Sequence, residues 1–155
     1  MYVLCTSDNS TMSLPSSQLQ WLLVKKHNAF QIKKDGITFS CEPNNSTNLD
    51  SYKYSGLCNS KAVGVSIVEK KDKKGLVLSV QTKKASKPSK SSAKYALNRN
   101  LKRNVSAIEK ATSGSYYRSD LSKAAVARYL KLKASLASKA DLKTIIQGLK
   151  DAKKE

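Results

Sequence analysis

The sequence predicts an α+β fold, in which a small antiparallel sheet of four to five strands is followed by a basic linker and two or three helices. Three observations support this prediction. Short strand-like runs separated by turn residues occupy the first half of the chain, a lysine-rich stretch without apolar periodicity follows, and apolar residues at helical spacing fill the remainder. The length of 155 residues fits one domain with an attached arm.

Five short runs in the first half have strand-like composition. They are residues 20–26, 29–34, 36–41, 62–69 and 75–81. Asp35-Gly36 joins the second run to the third, and it is a strong hairpin signal because glycine tolerates the positive φ of a tight turn. The last two runs predict a second hairpin with a charged tip. We therefore expect an antiparallel β-domain over residues 17–81, after a disordered N-terminal extension at 1–16.

Residues 82–92 predict a basic linker, and residues 93–155 predict a basic helical region that packs on the sheet. In the first helix the apolar residues recur at spacings of four, four and three, so they share one face. They are Leu97, Leu101, Val105 and Ile108. Ser119-Asp120 predicts the cap of a second helix that ends near Leu136, and Ser138 predicts the cap of a third.

The charge of the chain is large and unevenly distributed. Lysines and arginines number 29 against 11 acidic residues, for a formal net charge of +18. Residues 1–60 carry five basic and four acidic side chains, whereas residues 61–155 carry 24 and seven. Such an excess predicts a polyanionic partner. Lysine greatly outnumbers arginine, which favours contacts with a phosphate backbone over reading of base edges.

The sequence offers little for catalysis or metal binding. Cys5, Cys41 and Cys58 form no CxxC pair, and the single histidine, His27, lies in a predicted turn without a carboxylate partner. Neither of two glycine-rich phosphate-binding motifs occurs, GxGxxG or GxxxxGK followed by serine or threonine. We expect no enzyme activity, no metal and no cofactor. No apolar run reaches the roughly 18 residues that span a bilayer, so we expect no membrane partner; a histone-like or membrane-surface basic protein is the competing class.

The stretch CEPNNSTNLDSYKYSGLCN at 41–59 has two interpretations. Asn44, Asn45 and Tyr54 could form an RNA-facing loop, because amides bond and aromatic rings stack on the bases and hydroxyl groups of folded RNA. Alternatively, the stretch is a turn followed by an edge strand whose tyrosines cover the sheet. The composition alone leaves both open.

Several stretches of the chain resemble the ribosomal L28e family, a eukaryote-specific family of large-subunit proteins. They are SQLQWLLVKKHNAFQIKKDGITFSCEPNN, SYKYSGLCNSKAVGV, NRNLKRNVSAI and YYRSDLSKAAVARYL. The most specific marks are Glu42-Pro43-Asn44-Asn45 and the Tyr54-x-Gly56-Leu57 motif, and the resemblance covers about residues 17 to 137. Two features depart from the family: members normally begin near the position of Met12, and many end in a strongly basic tail, whereas this chain has an amphipathic segment at 140–154.

The resemblance implies a structural constituent of the large (60S) subunit of the cytosolic ribosome, with nucleolar passage during assembly. Its partners would be large-subunit rRNA and neighbouring ribosomal proteins, and no homo-oligomer is expected. The alternative is a nucleolar large-subunit biogenesis factor of the related Mak-sixteen type, which shares a stretch like SGLCN at 55–59. Trp21, Asn44, Asn45, Tyr54 and Gly56 are the positions characteristic of the family.

Seventeen residues are the predicted RNA contacts, chosen for cationic charge, aromatic character or position in the family-like motifs. They are Trp21, Lys25, Lys26, Asn44, Asn45, Lys53, Tyr54, Lys83, Lys84, Lys87, Lys90, Lys94, Arg99, Lys102, Arg103, Lys110 and Arg118. The mechanism expected of them is that of a scaffold, in which cations neutralise crowded phosphates and the β-domain fixes position.

Overall fold

The computed structural model describes residues 15–70, 73–82 and 90–137. Within them, two small antiparallel sheets combine with three α-helices, which confirms the predicted α+β fold class. In chain order the elements are α1 (Ser17–Val24), β1 (Gln31–Lys34), β2 (Ile37–Ser40), β3 (Val63–Lys70), β4 (Lys73–Gln81), β5 (Ser92–Ala96), α2 (Leu101–Glu109) and α3 (Ser122–Leu136). The strands β1 and β2 form one sheet, and β3, β4 and β5 form the other in that order.

The first predicted strand, at 20–26, is wrong, because this segment forms most of α1. The side-chain oxygen of Ser16 caps the helix by accepting a hydrogen bond from the Leu19 N–H at 3.3 Å. Leucine and glutamine, which dominate α1, lose little side-chain freedom in a helix. A short apolar run does not by itself distinguish a strand from a helix, and here the cap and the propensities favour the helix.

The predicted hairpin at Asp35-Gly36 is confirmed. Strands β1 and β2 pair antiparallel from Gln31↔Ser40 to Lys34↔Ile37, so the dipeptide forms a two-residue turn. Both turn residues have positive φ, 51° at Asp35 and 75° at Gly36. Two successive positive φ angles are the conformation that the right-handed twist of a tight hairpin favours.

The second predicted hairpin is also confirmed, and it gains a strand. Strands β3 and β4 pair antiparallel from Val63↔Val80 to Lys70↔Lys73. Strand β5 pairs with the other edge of β4, from Val77↔Ala96 to Gln81↔Ser92. This strand overturns the prediction that the helical region begins at residue 93 and that the linker runs to 92. Its sequence, SAKYA, has weak strand propensity, so pairing with β4 determines its conformation.

The helices begin later than their apolar spacing indicates. Asn100, with an extended backbone, precedes α2, so Leu97 lies before the helix, although its side chain is buried. Helix α2 continues into a π-helical turn at Lys110–Gly114. A 3₁₀ turn at Ser119–Leu121 leads into α3, which ends at Leu136 as predicted. The predicted cap at Ser119-Asp120 is wrong: Leu121 precedes α3, no side chain caps the helix, and the Asp120 carboxylate accepts from Arg118 instead. The predicted third helix after Ser138 and residues 1–14 of the predicted extension at 1–16 lie outside the described residues. The end of that extension is not disordered, because Ser16 caps α1.

The core lies between the three-stranded sheet and the helices α2 and α3. Val63 and Val65 of β3 and Leu76 and Leu78 of β4 supply the sheet side. The helical side is supplied by Ile108, Ala125 and Tyr129, each 0% exposed. The apolar face of the helices therefore covers the sheet, and most of their basic side chains remain at the surface.

The stretch at 41–59 is a packed loop, which an isolated bridge between Leu49 and Phe39 links to β2. Asn45, which is 2% exposed, donates to the Glu42 carboxylate at 3.1 Å and to the Leu49 carbonyl at 2.9 Å. The side-chain oxygen of Asn45 accepts from the backbone N–H groups of Thr47 and Asn48. Buried polar groups must find such partners, so this hydrogen bonding is what folds the loop.

Two glycines allow close backbone contacts at the loop, one with the sheet and one within the loop itself. A Cβ atom on Gly64, in β3, would lie 2.6 Å from the Asn44 Cα, and one on Gly56 would lie 2.2 Å from the Pro43 carbonyl oxygen. Backbone atoms at those distances must move to admit a methyl group. The contact between loop and sheet therefore requires glycine at position 64, and the packing within the loop requires it at position 56.

We predict that Gly64→Ala lowers the free energy of unfolding by about 1–3 kcal/mol, because the added methyl overpacks against the Asn44 backbone. Urea denaturation followed by circular dichroism measures the change. Gly75→Ala in β4 is the matched control, since its Cβ would meet nothing closer than 3.8 Å. Equal stability of the two variants would contradict the close-packing account.

Asn104 of α2 fastens the connection between sheet and helix to α3. Its side chain is 2% exposed, and its amide nitrogen lies 3.1 Å from the Leu97 carbonyl oxygen and 2.7 Å from that of Arg99. The same nitrogen lies 2.8 Å from the Tyr129 hydroxyl. Its carbonyl oxygen accepts from the Arg99 N–H at 3.3 Å. The backbone of Arg99 is thus held on both its N–H and its C=O side.

We predict that Asn104→Ala destabilises the protein by about 1–3 kcal/mol, since it leaves buried carbonyl groups and the Tyr129 hydroxyl without partners. Tyr129→Phe removes only one partner and costs about 0.5–1.5 kcal/mol. The double variant tests the coupling: its loss should be smaller than the sum of the single losses. Additive losses in denaturation experiments would show that the two side chains act independently.

Candidate nucleic-acid interface

Most of the predicted cationic contacts lie at the surface. Those with exposed side chains are Lys25, Lys26, Lys53, Lys90, Lys94, Arg99, Lys102, Arg103 and Lys110. Lys83, Lys84 and Lys87 lie outside the described residues. Exposed lysines and arginines are the side chains that can reach a phosphate without losing an internal partner.

A groove of about 1060 Å³ gathers three of these residues at the start of α2. Arg99, Lys102 and Arg103 line it together with Lys74 of β4 and Lys133 of α3. Within the ranges 15–70, 73–82 and 90–137, no acidic residue lines the groove. Lys74 forms an exposed ion pair with Glu69 at 3.0 Å, which contributes little because water screens it. We name this groove the α2 groove. Lys74 was not among the predicted contacts, because only the pairing of the strands brings it next to the cations of α2.

Leucines make up the apolar part of the α2 groove. Leu76 and Leu97 are buried core residues that also line it, and Leu136 is partly exposed at the end of α3. The groove therefore combines an apolar floor with a cationic rim.

The N-terminal end of α2 adds positive potential to this groove. Asn100 makes no side-chain capping bond, and no acidic residue lies in the first turn. The first backbone N–H groups of a helix have no partner inside the helix, and the helix dipole is positive there. Both effects have the same sign as the cationic rim.

A smaller concavity of about 260 Å³ adjoins the α2 groove and shares Leu97 and Arg99 with it. Tyr95 of β5 lines this concavity. It lies opposite Leu78 in the strand pairing, so its side chain is on the face that the helices cover, yet 55% of it is exposed because β5 is an edge strand. Sequence reasoning missed Tyr95 because it placed this segment at the start of a helix.

Arg118 has an internal role. Its guanidinium donates to the carbonyl oxygens of Lys61 and Lys53 and to the Asp120 carboxylate, each at 2.9 Å. The hydrogen bond from Arg118 holds the pKa of Asp120 below its usual value. Only 17% of the arginine side chain is exposed. It therefore joins the 3₁₀ turn to the loop and to the segment before β3, and four of its five N–H donors are occupied within the protein.

Arg128 plays a similar part on α3. Its Nε donates to the Val65 carbonyl at 3.0 Å and its Nη1 to the Asn48 side chain at 2.8 Å. Burial lowers the pKa of its guanidinium. This arginine attaches the helix to β3 and to the loop at 41–59.

Of the two predicted asparagines, neither presents a free side chain. The Asn44 side-chain oxygen accepts from the Ser79 hydroxyl at 2.6 Å, and its backbone adopts a positive φ of 62°. The Asn45 side chain is buried within the loop, as described above. The structure thus gives both residues a role in folding, and burial leaves the Asn45 amide no surface to offer to RNA.

The aromatic residues of the loop form a second group with α1. Trp21 and Tyr52 are in tilted contact, with ring centroids 6.2 Å apart. The Lys53 ammonium lies 5.7 Å from the centroid of the Tyr54 ring. All three rings are half-buried, so part of each surface is available to a partner.

The described residues contain no candidate for a metal site or for a membrane-spanning helix. Over the ranges 15–70, 73–82 and 90–137, no three histidine, cysteine, aspartate or glutamate side chains come together as metal ligands would. In the same ranges, no helix combines the length and apolar character needed to cross a bilayer.

The comparisons with known proteins agree on one family. The sequence model of the ribosomal L28e protein family matches residues 19–135. The chain is 35% identical over 136 residues to the large ribosomal subunit protein eL28 of Schizosaccharomyces pombe, covering 84% of this chain and 97% of that protein. It is 33% identical over 123 residues to the protein of the same name from Dictyostelium discoideum, covering 79% and 90%. The chain therefore belongs to the ribosomal L28e protein family.

Proposed function

We propose that this chain is a structural constituent of the large subunit of the cytosolic ribosome and that it binds rRNA through exposed cations around α2. The two relatives named above carry the name of a large-subunit protein and align over most of the chain. The formal charge of +18 calls for a polyanionic partner, and structured RNA is the polyanion of a ribosome.

The single observation that carries the RNA-binding part is the α2 groove. Five cationic side chains, from β4, α2, α3 and the connection before α2, surround it, and among the described residues no acidic side chain lines it. Like charges gathered in one concave site repel each other, and a phosphate backbone that occupies the site relieves this repulsion. The mechanism is neutralisation of phosphates with release of counterions, which makes the affinity steeply dependent on salt.

Buried and exposed residues have different roles in this proposal: the buried ones hold the backbone in place, and the exposed cations contact phosphates. The core between sheet and helices and the packed loop at 41–59 fix the backbone of the cationic segments. Rigid presentation reduces the freedom lost on binding, and phosphate contacts then set the register of the protein on RNA. The role is that of a scaffold without enzyme activity or cofactor.

The biogenesis-factor alternative depends on the SGLCN stretch at 55–59. In this protein those residues have internal contacts: Gly56 packs on the Pro43 carbonyl, Cys58 is buried, and the Asn59 amide donates to the carbonyls of Tyr52 and Ser55 at 2.7 and 2.9 Å. A shared stretch that folds a loop is evidence of a shared fold. It does not favour one function over the other, so the names of the relatives weigh in favour of the ribosomal constituent.

We predict that the tagged full chain co-sediments with mature large subunits and stays with them after a high-salt wash. A constituent of the assembled subunit would be enclosed by folded RNA and neighbouring proteins, whereas a protein held by surface phosphate contacts alone would dissociate in salt. Sucrose-gradient sedimentation of a cell extract measures this. Nucleolar passage during assembly predicts a minor fraction with precursor particles. Sedimentation with precursors alone would support the assembly factor, and recovery with membranes would support the lipid-binding class.

We predict that the triple variant Arg99→Glu, Lys102→Glu, Arg103→Glu loses incorporation into subunits, since it reverses three charges at the α2 groove. In filter binding to large-subunit rRNA, the slope of log affinity against log salt should fall by about two to three, given about 0.7–0.9 per phosphate contact.

The triple variant Lys33→Glu, Lys34→Glu, Lys123→Glu is the matched control. It makes the same change in net charge at exposed positions that do not line the groove. Equal losses in the two triple variants would mean that total charge, rather than the α2 groove, determines RNA binding. Normal incorporation of the first variant would remove the groove from the proposed interface.

A further inference from the structure

The apolar lining of the α2 groove indicates which kind of ligand it binds, beyond what its charge indicates. A surface that binds only the outside of an RNA duplex needs cations and hydrogen-bonding groups, because a duplex presents phosphates and riboses. Here Leu76, Leu97 and Leu136 supply an apolar floor inside the cationic rim. Phosphates gain nothing from leucine side chains, so the floor calls for an apolar group of the ligand.

The adjoining concavity supplies a second apolar surface of another kind. Tyr95 is 55% exposed in β5, and among the described hydrogen bonds its hydroxyl takes part in none. An exposed aromatic ring without a polar tether is a stacking platform for a base, since every nucleobase has a π-face. Arg99 is exposed and lines both concavities, so one cationic residue borders the two.

We propose that the α2 groove and the Tyr95 concavity hold two successive nucleotides of an unpaired RNA segment. One base lies on the leucine floor, and the next stacks on the Tyr95 ring. Lys102, Arg103 and Lys133 face the phosphates. This inference rests on the proposed function and narrows its ligand from folded rRNA in general to a single-stranded loop or bulge, where bases are free to leave the stack.

Charge favours RNA over a protein segment as the occupant. A peptide in the groove would have to bring acidic residues to five cations. The segment of this chain that follows the groove, residues 138–155, carries five lysines and three acidic residues, so its net charge has the same sign as the rim. A ligand with one negative charge per nucleotide matches the rim without further requirement.

The test compares two RNA probes with one protein set. Fluorescence anisotropy measures the affinity of the purified full chain for a labelled decauridine and for a labelled RNA duplex of ten base pairs. Tyr95→Ala should weaken binding of the single strand about five-fold or more and leave duplex binding unchanged, because only the single strand offers a base for stacking. Tyr95→Phe keeps the ring and should keep the wild-type affinity.

Tyr116→Ala is the matched control, since Tyr116 is 90% exposed and lines neither concavity. A second variant addresses the floor: Leu136→Glu, at a position 36% exposed, should weaken single-strand binding, whereas Leu22→Glu on α1, 60% exposed, should weaken it less. Each of these side chains is at least one-third exposed, so the variants keep the core and their folding can be verified by circular dichroism.

The outcomes separate this inference from the proposed function. If the wild type binds large-subunit rRNA with a steep salt dependence but Tyr95→Ala behaves like Tyr116→Ala, the two-nucleotide site is wrong and the ribosomal role stands. If the wild type binds neither the rRNA nor the probes, both are wrong. Photo-cross-linking with 4-thiouridine should give adducts on Tyr95 and on the peptide 97–103. Adducts elsewhere, or lysine cross-links that place a protein segment in the groove of purified subunits, would overturn the assignment.

Discussion

The buried amide of Asn104 is the interaction on which the geometry of the candidate interface depends. From its position in α2, it binds the connection before that helix, at the carbonyls of Leu97 and Arg99, and the hydroxyl of Tyr129 in α3. A buried amide without partners would cost about 1–3 kcal/mol, so these segments must meet closely for the fold to be stable. As a consequence the Arg99 backbone is fixed from two sides while its side chain stays exposed between the α2 groove and the Tyr95 concavity.

A net charge of +18 opposes compact folding, and the structure shows how the described part of the chain tolerates it. The core residues are uncharged, and most cations are exposed, where water screens their mutual repulsion. The two arginines that are largely withdrawn from solvent, Arg118 and Arg128, donate to backbone carbonyls and to polar side chains of the loop. Cations therefore divide into a small set that fastens elements together and a larger set left available to a partner. The α2 groove is the place where the second set is concentrated.

Sequence patterns predicted those parts of the fold that local chemistry determines. The Asp35-Gly36 turn and the two strands of the second hairpin follow from interactions between near neighbours, and so does α3 with its end at Leu136, although its predicted cap is wrong. Strand β5 was not predictable in this way, because its residues become a strand only by pairing with β4. The α2 groove was predicted in part: three of its cations stood out, whereas Lys74 and the adjacent Tyr95 depend on strand pairing and Lys133 on the packing of α3.

The residues that make the sequence recognisable are mostly those that fold the loop at 41–59. Asn44 and Asn45 are engaged with Ser79 and with the loop itself, and Gly56 and Gly64 admit the backbone of residues 43 and 44. Such contacts are specific in geometry and demand particular side chains, so they leave a clear signature in the sequence. An electrostatic contact with a phosphate makes no comparable demand, because any exposed lysine or arginine at roughly the right place satisfies it. A strong motif in a basic protein of this kind therefore marks the scaffold, and the RNA interface has to be located from exposed charge and the shape of the surface.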